Sequence, residues 1–181
     1  LIRSAFSKEM MAAAMYKHLN KAIDALAIFE LYSSADENFL LAAGFKGLDN
    51  LVTRLSNEDF VKGIKKVQKI PIISILIDDY FNGELDAINS IKVRQMGARF
   101  SQEVWKVMRK IPAGKTLSYA ELAKRAGSVN AIRAAGTACG NNLIAPIIPC
   151  HRIVKSGGAL GNYGYGVKIK EWLLRHEGAL D

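Results

Sequence analysis

The sequence predicts an α+β fold in two parts, a small mixed unit over residues 1–92 followed by a mostly helical unit over residues 93–181. Three observations predict it. Two apolar-rich runs, DALAIFELYS and ENFLLAAGFKG, are separated by the polar SADEN and have the look of strands. From Phe100 onward, apolar residues recur at helical spacing in successive segments. The two parts also differ in charge: residues 1–95 hold 12 Lys/Arg against 12 Asp/Glu, while residues 96–181 hold 13 against 5, so the net +8 resides entirely in the second part.

Along the chain, GLDNLVTRLSNEDFVKGIKKV has the spacing of an amphipathic helix, and IISILIDDYFNGE predicts a further helix stopped at Gly83. LDAINSIKVRQMGAR reads as a strand or linker. In FSQEVWKVMRKIPAGKT, the residues Phe100, Val104, Val107, Met108 and Ile111 predict one buried helix, which Pro112 and Gly114 end. The GKT there does not make a phosphate-binding loop, because that motif needs glycine where Arg109 stands. LSYAELAKRAG follows: Ser118 and Glu121 fit a capping box, and Gly127 can close the helix in a left-handed conformation. With VNAIRAAGTACG after a glycine-containing turn, the pair predicts a helix-turn-helix. IVKSGGALGNYGYGV, with five glycines around two tyrosines, reads as a hairpin and loop and lacks the context of a dinucleotide fingerprint. KIKEWLLRHEG gives a last amphipathic helix with Glu177 at its end.

Composition narrows the function classes. A chain of 181 residues, 50% hydrophobic and 23% charged, fits a soluble globular protein. Its apolar run IPIISILI is far short of the roughly 20 residues of a membrane span, so no membrane association is expected. No secretory leader is expected, and two cysteines, Cys139 and Cys150, fit a reducing compartment; the expected location is the cytoplasm, or the nucleus in a eukaryote. A basic second half points to nucleic acid, with surface lysines kept for solubility as the plainer alternative. The helix AIRAAGTACG bears Ala131, Ala134, Ala135, Gly136 and one long side chain, Arg133. Small residues would allow close approach to a phosphate backbone while the arginine reaches beyond them; tight helix packing explains the same residues equally well.

The chemistry centres on IAPIIPCHRIV. Apolar surroundings raise a thiol's pKa and leave it inert, so a reactive Cys150 needs a base or a positive charge nearby. His151 could be that base and Glu177 the group that orients it, although a packed Cys-His pair is the plainer reading of the residue types alone. Paired metal-ligand spacings are missing, so no metal is expected.

PCHRIV, preceded by SYAELA and AIRAAGTA and followed by GALGNYGYG and KEWLLRHEG, resembles the O6-alkylguanine-DNA alkyltransferases, or methylated-DNA–protein-cysteine methyltransferases. The likeness is continuous from about Phe100 to Gly178 and faint before that, where it rests on YFNGE. The resemblance implies a ribonuclease H-like first domain and a winged helix-turn-helix second domain carrying the reactive cysteine. It also implies a direct-reversal repair protein, monomeric and cofactor-free, acting once on alkylated double-stranded DNA. Cys150 would take the alkyl group from O6 of guanine, with O4-alkylthymine as a possible second lesion. His151 and Glu177 would complete a proton relay through a water, Tyr119 would donate a proton to the departing base, and Asn142 would link recognition helix and active-site loop.

Under the same resemblance, Arg133 fills the gap left by an extruded base, and Ala131, Ala134, Ala135, Gly136 and Ser118 line the DNA. The base pocket would comprise Tyr119, Cys139, Ile148, Gly161, Tyr163, Gly164, Tyr165 and Lys170. Gly164 stands where some members carry serine or arginine, Tyr165 is bulkier than the glycine some carry, and Cys139, smaller than in other members, reads as structural. A protein that binds alkylated DNA without reacting is the competing reading. A cysteine hydrolase is a second, for which the sequence shows no oxyanion site.

Overall fold

The computed structural model describes residues 30–32, 38–45, 51, 53–55 and 71–181. The amphipathic helix expected in GLDNLVTRLSNEDFVKGIKKV falls largely outside them, as does most of DALAIFELYS. What is described is a mixed, mainly helical architecture with two small sheets. Strands β1 (Glu30–Tyr32) and β2 (Asn38–Leu40) pair antiparallel, with Leu31 opposite Phe39. Helix α1 (Pro71–Phe81) buries Ile73, Ile77, Tyr80 and Phe81 and ends ahead of Gly83, whose φ of 111° favours glycine. LDAINSIKVRQMGAR resolves into a 3₁₀ turn, Ala87–Ser90, and a single parallel bridge from Val93 to Leu40.

Helix α2 (Arg99–Arg109) turns Val104, Trp105 and Met108 inward. Strand β3 (Leu117–Ser118) leads into α3 (Tyr119–Arg125), and α4 (Ile132–Gly140) follows after a short turn. The reading of Ser118 as a cap holds. Its hydroxyl accepts from the Glu121 amide (3.2 Å), while the Glu121 carboxylate accepts from the Ser118 amide (2.8 Å). At the other end, the Ser128 amide reaches the Ala123 carbonyl (3.0 Å) and the Gly127 amide that of Lys124 (3.1 Å) around a left-handed Gly127 (φ 93°). Helix α4 lies against α2 and α3: Ala135 and Ala138 are buried, and the Trp105 indole donates to the Ala138 carbonyl (2.9 Å).

One expectation is corrected. IVKSGGALGNYGYGV does not form a two-stranded hairpin: strand β4 (Ile153–Val154) pairs parallel with β3, Leu117 opposite Ile153, and a tight turn closed by Lys155 N–H to Ala159 O begins the loop that follows. Glycine and turn signals announced a reversal of direction but could not say which strand β4 would join. Helix α5 (Val167–His176) closes the fold, packing on α1 through Phe81, Trp172 and His176, with the Trp172 and His176 rings stacked 5.0 Å apart.

The segment 40–45 crosses between the two halves and is buried throughout. Leu40 bonds to the backbone on both sides of Val93, and Ala43 does the same around Ile144: the Ala43 amide donates to Leu143 O (2.8 Å) and the Ala145 amide donates to Ala43 O (2.9 Å). The stretch leading to Cys150 is therefore anchored from the first half of the chain.

Candidate active site

Cys150 begins a short 3₁₀ turn, Cys150–Arg152, and is 7% exposed. The turn itself brings three chemically different side chains together. Asn142, just past the end of α4, spans the gap to the thiol: its Nδ2 donates to the Ile148 carbonyl (2.7 Å) and to Cys150 Sγ (3.1 Å), and its Oδ1 accepts from the Ile144 amide (3.0 Å). With all these bonds made, the asparagine cannot turn, so Nδ2 stays aimed at sulfur. Burial pushes the Cys150 thiol pKa up; the Asn142 hydrogen bond and the positive Lys170 oppose that shift without cancelling it. The resting thiol is therefore protonated and needs a base to react.

His151 is fully buried. Its Nε2 faces Glu177 Oε1 at 2.9 Å, and since a carboxylate only accepts, Nε2 carries the proton and Nδ1 holds the free lone pair. Nδ1 is buried with no protein partner. Burial lowers the imidazole pKa, and Glu177 pulls it back only in part, so the ring is neutral at rest and able to receive a proton.

Glu177 caps the C-terminus of α5, where left-handed Gly178 (φ 70°) and the Ala179 amide bonded to Leu174 O (2.8 Å) fix its backbone. Arg152 clamps its carboxylate with two bonds, Nε to Oε2 (2.8 Å) and Nη2 to Oε1 (2.7 Å), and sends Nη1 to the Ile111 carbonyl. Burial alone would raise the Glu177 pKa; hydrogen bonds and charge from His151 and Arg152 outweigh it and hold the carboxyl well below the usual range. A third donor, the Tyr80 hydroxyl, reaches Oε1 at 2.6 Å.

The pocket residues fall into three groups. Tyr119, first residue of α3, lies with its ring between α4 and the glycine loop: a Cβ added to Gly136 would stand 3.9 Å from it and one on Gly161 3.7 Å. Burial, then the nearby Cys139 and Cys150 sulfurs, raises its pKa and keeps its hydroxyl protonated. Tyr163 is placed close enough to influence the Cys150 thiol, and its buried hydroxyl has no partner at normal geometry; its ring meets Tyr165 edge-on at 5.5 Å. Tyr165 in turn packs against Phe45 (5.4 Å) and sits so close to Gly44 that a Cβ there would be 2.1 Å from its hydroxyl. Gly164 is exposed, Ile148 is buried, and Cys139 has its thiol pKa raised chiefly by burial.

One site expectation needs correction. Ala135 is completely buried against the neighbouring helices, so it cannot line the DNA as a surface residue; Ala131, Arg133, Ala134 and Gly136 keep some or full exposure. Lys170 lies on α5 with its ammonium turned to backbone. It is fully buried and donates to the Ile153 and Leu160 carbonyls, tying the glycine loop to β4. Ser118, at the surface, has its hydroxyl engaged with Glu121.

Sequence reasoning missed Arg152 as the clamp on Glu177, although it stands in the quoted PCHR. Gln95 was also missed: its Oε1 accepts from the Leu143 amide (2.9 Å) and steadies the start of the cysteine segment. Tyr80, although it opens the quoted YFNGE, gave no sign of its bond to Glu177, 97 residues away.

With this geometry described, comparison with known proteins gives a consistent result. The sequence model of the family described as 6-O-methylguanine DNA methyltransferase, DNA binding domain, matches residues 99–179. The methylated-DNA–protein-cysteine methyltransferase of Shigella flexneri is 43% identical over 108 residues, 60% of this chain and 63% of that protein, so the chain matches less than two thirds of that relative's length. The methyltransferase of the same name from Methanosarcina acetivorans is 35% identical over 162 residues, 83% of this chain and 98% of that protein. Among solved structures, the Mycobacterium tuberculosis O6-methylguanine methyltransferase is similar with a TM-score of 0.63 and 28% identity, covering 83% of this chain and 92% of that one.

Proposed function

Because the chain belongs to the methylated-DNA–protein-cysteine methyltransferase family, we propose that it repairs DNA by moving the alkyl group of O6-alkylguanine irreversibly onto Cys150. The observation that carries this reading is the arrangement of a buried thiol, its Asn142 donor, and a neutral His151 backed by an ionised Glu177. The thiol proton goes to His151 Nδ1, directly or through one water, and the resulting imidazolium is stabilised by Glu177. Sulfur then forms a bond to the alkyl carbon as the carbon–O6 bond breaks. The electron pair stays on the purine, which takes a proton from the Tyr119 hydroxyl. Guanine is restored, and the thioether on Cys150 leaves nothing to regenerate, so one protein acts once.

On this reading α3 and α4 form a helix-turn-helix, with Arg133 on the exposed face entering the base stack while the damaged nucleotide is extruded toward Tyr119. Ala131, Ala134 and Gly136 provide the close-approach surface. Residues 1–92 act as a ribonuclease H-like unit and 93–181 as a winged helix-turn-helix unit, working as a monomer in the cytoplasm, or in the nucleus of a eukaryote. No helix among the described residues is long and apolar enough to cross a membrane.

The test is the intact mass after mixing with excess duplex DNA carrying one O6-methylguanine, followed by peptide mapping. A stoichiometric gain of one methyl group on Cys150 is expected. A bound but unchanged lesion would favour the non-reacting binder.

Tyr165 sets a limit on adduct size. Wedged against Phe45, Tyr163 and Gly44, it has little room to swing aside. Tyr165→Gly is expected to speed reaction with O6-benzylguanine about tenfold while changing the methyl rate little, since one poorly fitting contact is commonly worth about 1–3 kcal/mol. Equal acceleration of both substrates would show that Tyr165 does not select by size.

A further inference from the structure

Among the described residues, the N-terminal half meets the relay at the Tyr80 hydroxyl. Tyr80 is completely buried near the end of α1 and donates to Glu177 Oε1 at 2.6 Å, the shortest of the three bonds that oxygen accepts. The carboxylate can only accept, so the phenol proton points at Glu177. Tyr80 is fixed from several sides: its carbonyl accepts from His176 Nε2 (2.8 Å), and its ring meets His176 edge-on at 5.2 Å and Phe81 at 5.1 Å. Oε1 already receives His151 and Arg152, so packing and charge would both be satisfied by a phenylalanine here. The hydroxyl is an added donor on the very atom that backs the imidazole.

We propose that Tyr80 is a positioning residue of the proton relay, which sets how strongly Glu177 draws a proton onto His151. Each donor to Oε1 withdraws charge from the side of the carboxylate that faces Nε2, so the phenol tempers the base and keeps the thiol protonated until a substrate fills the site. Among the described residues, the titratable and charged groups that face this pair are Arg152 and Cys150 on the 3₁₀ turn, Lys170 and His176 on α5, Tyr163 on the glycine loop, and Tyr80 on α1. Of these, only Tyr80 comes from the first half of the chain, which gives that half a part in the chemistry as well as in support. The inference rests on His151 being the base of the proposed transfer.

The test compares wild type, Tyr80→Phe and a protein with 3-fluorotyrosine at position 80, the last keeping shape and hydroxyl while strengthening the donor. The protonation midpoint of His151, followed by nitrogen NMR of the imidazole, is expected to rise by about one pH unit in Tyr80→Phe and to fall in the fluorinated protein. The acid limb of single-turnover methyl transfer should move with it in each case. A midpoint that stays in place in Tyr80→Phe, or moves the same way in both proteins, overturns the proposal; a merely structural role would lower the plateau rate and leave the acid limb where it was. Absence of methyl transfer in the wild type would defeat the functional reading instead, and the imidazole titration would still report on Tyr80.

Discussion

Arg152→Met is expected to lower the unfolding free energy by about 3–5 kcal/mol and the melting temperature by on the order of 10 °C. Methionine fills much of the arginine's volume, so the loss comes from electrostatics. Arg152 supplies two of the bonds to a buried carboxylate and a third to the Ile111 carbonyl, and all three bonds are lost at once. The remaining donors, His151 and Tyr80, are neutral and cannot balance a buried negative charge. The double variant Arg152→Met, Glu177→Gln should regain a good part of the loss, because it removes the unpaired charge. Thermal or urea denaturation measures both. A single variant as stable as wild type would mean that solvent reaches Glu177 and screens it.

The same groups fix the pH range of stability. His151 has its pKa lowered by burial, so below its ordinary value of about 6.5 the unfolded chain binds a proton that the native protein refuses, and stability falls. Glu177 is held well below the usual carboxylate range by its hydrogen bonds, so its contribution is complete above about 4.3 and is lost as pH drops toward the native value. On the alkaline side Cys150 is raised by burial, and above about 8.5 the unfolded thiol ionises while the native one does not. Stability should therefore be greatest between about pH 6.5 and 8.5 and decline on both sides.

Local devices in this chain were legible because they are written in a few adjacent residues. Ser118 and Glu121 announce a capping box, Gly127 announces its helix end, and the order Pro-Cys-His-Arg sets the thiol and the imidazole of the proposed relay side by side. Orientation was harder to read. A row of small residues on α4 shows that something approaches closely, yet Ala135 faces the core while Ala134 faces solvent, and the sequence alone fits either arrangement. Lys170 is a similar case: a lysine on an amphipathic helix reads as a surface or pocket charge, and only the fold shows two backbone carbonyls waiting for it. Contacts across the chain left no trace at all. Ala43 pairing beside Ile144 and Tyr80 bonding to Glu177 depend on how the halves meet, Gln95 steadying Leu143 depends on a contact 48 residues apart, and nothing periodic in the sequence encodes either.

Arg133→Ala is expected to slow alkyl transfer from duplex DNA by about tenfold to a hundredfold, as follows if the side chain offsets most of the few kcal/mol needed to unstack a base. Its setting supports a role outside the protein. Helix α4 turns Ala135 and Ala138 inward, whereas Arg133 is exposed, between exposed Ile132 and Ala134. Gly136, one turn along, faces the Tyr119 ring, the residue toward which the proposed reading extrudes the damaged nucleotide. Nothing in the relay touches Arg133, and its removal should leave Cys150, His151 and Glu177 undisturbed. Free O6-benzylguanine, which has no stack to leave, should therefore react with Arg133→Ala at the wild-type rate, and a lesion in single-stranded DNA should show an intermediate loss. Arg133→Lys should recover only part of the duplex rate, because a compact ammonium cannot stack where a planar guanidinium can. Measured by single-turnover quench, an equal slowing on duplex DNA and free base would place the defect in the active site and remove Arg133 from base extrusion.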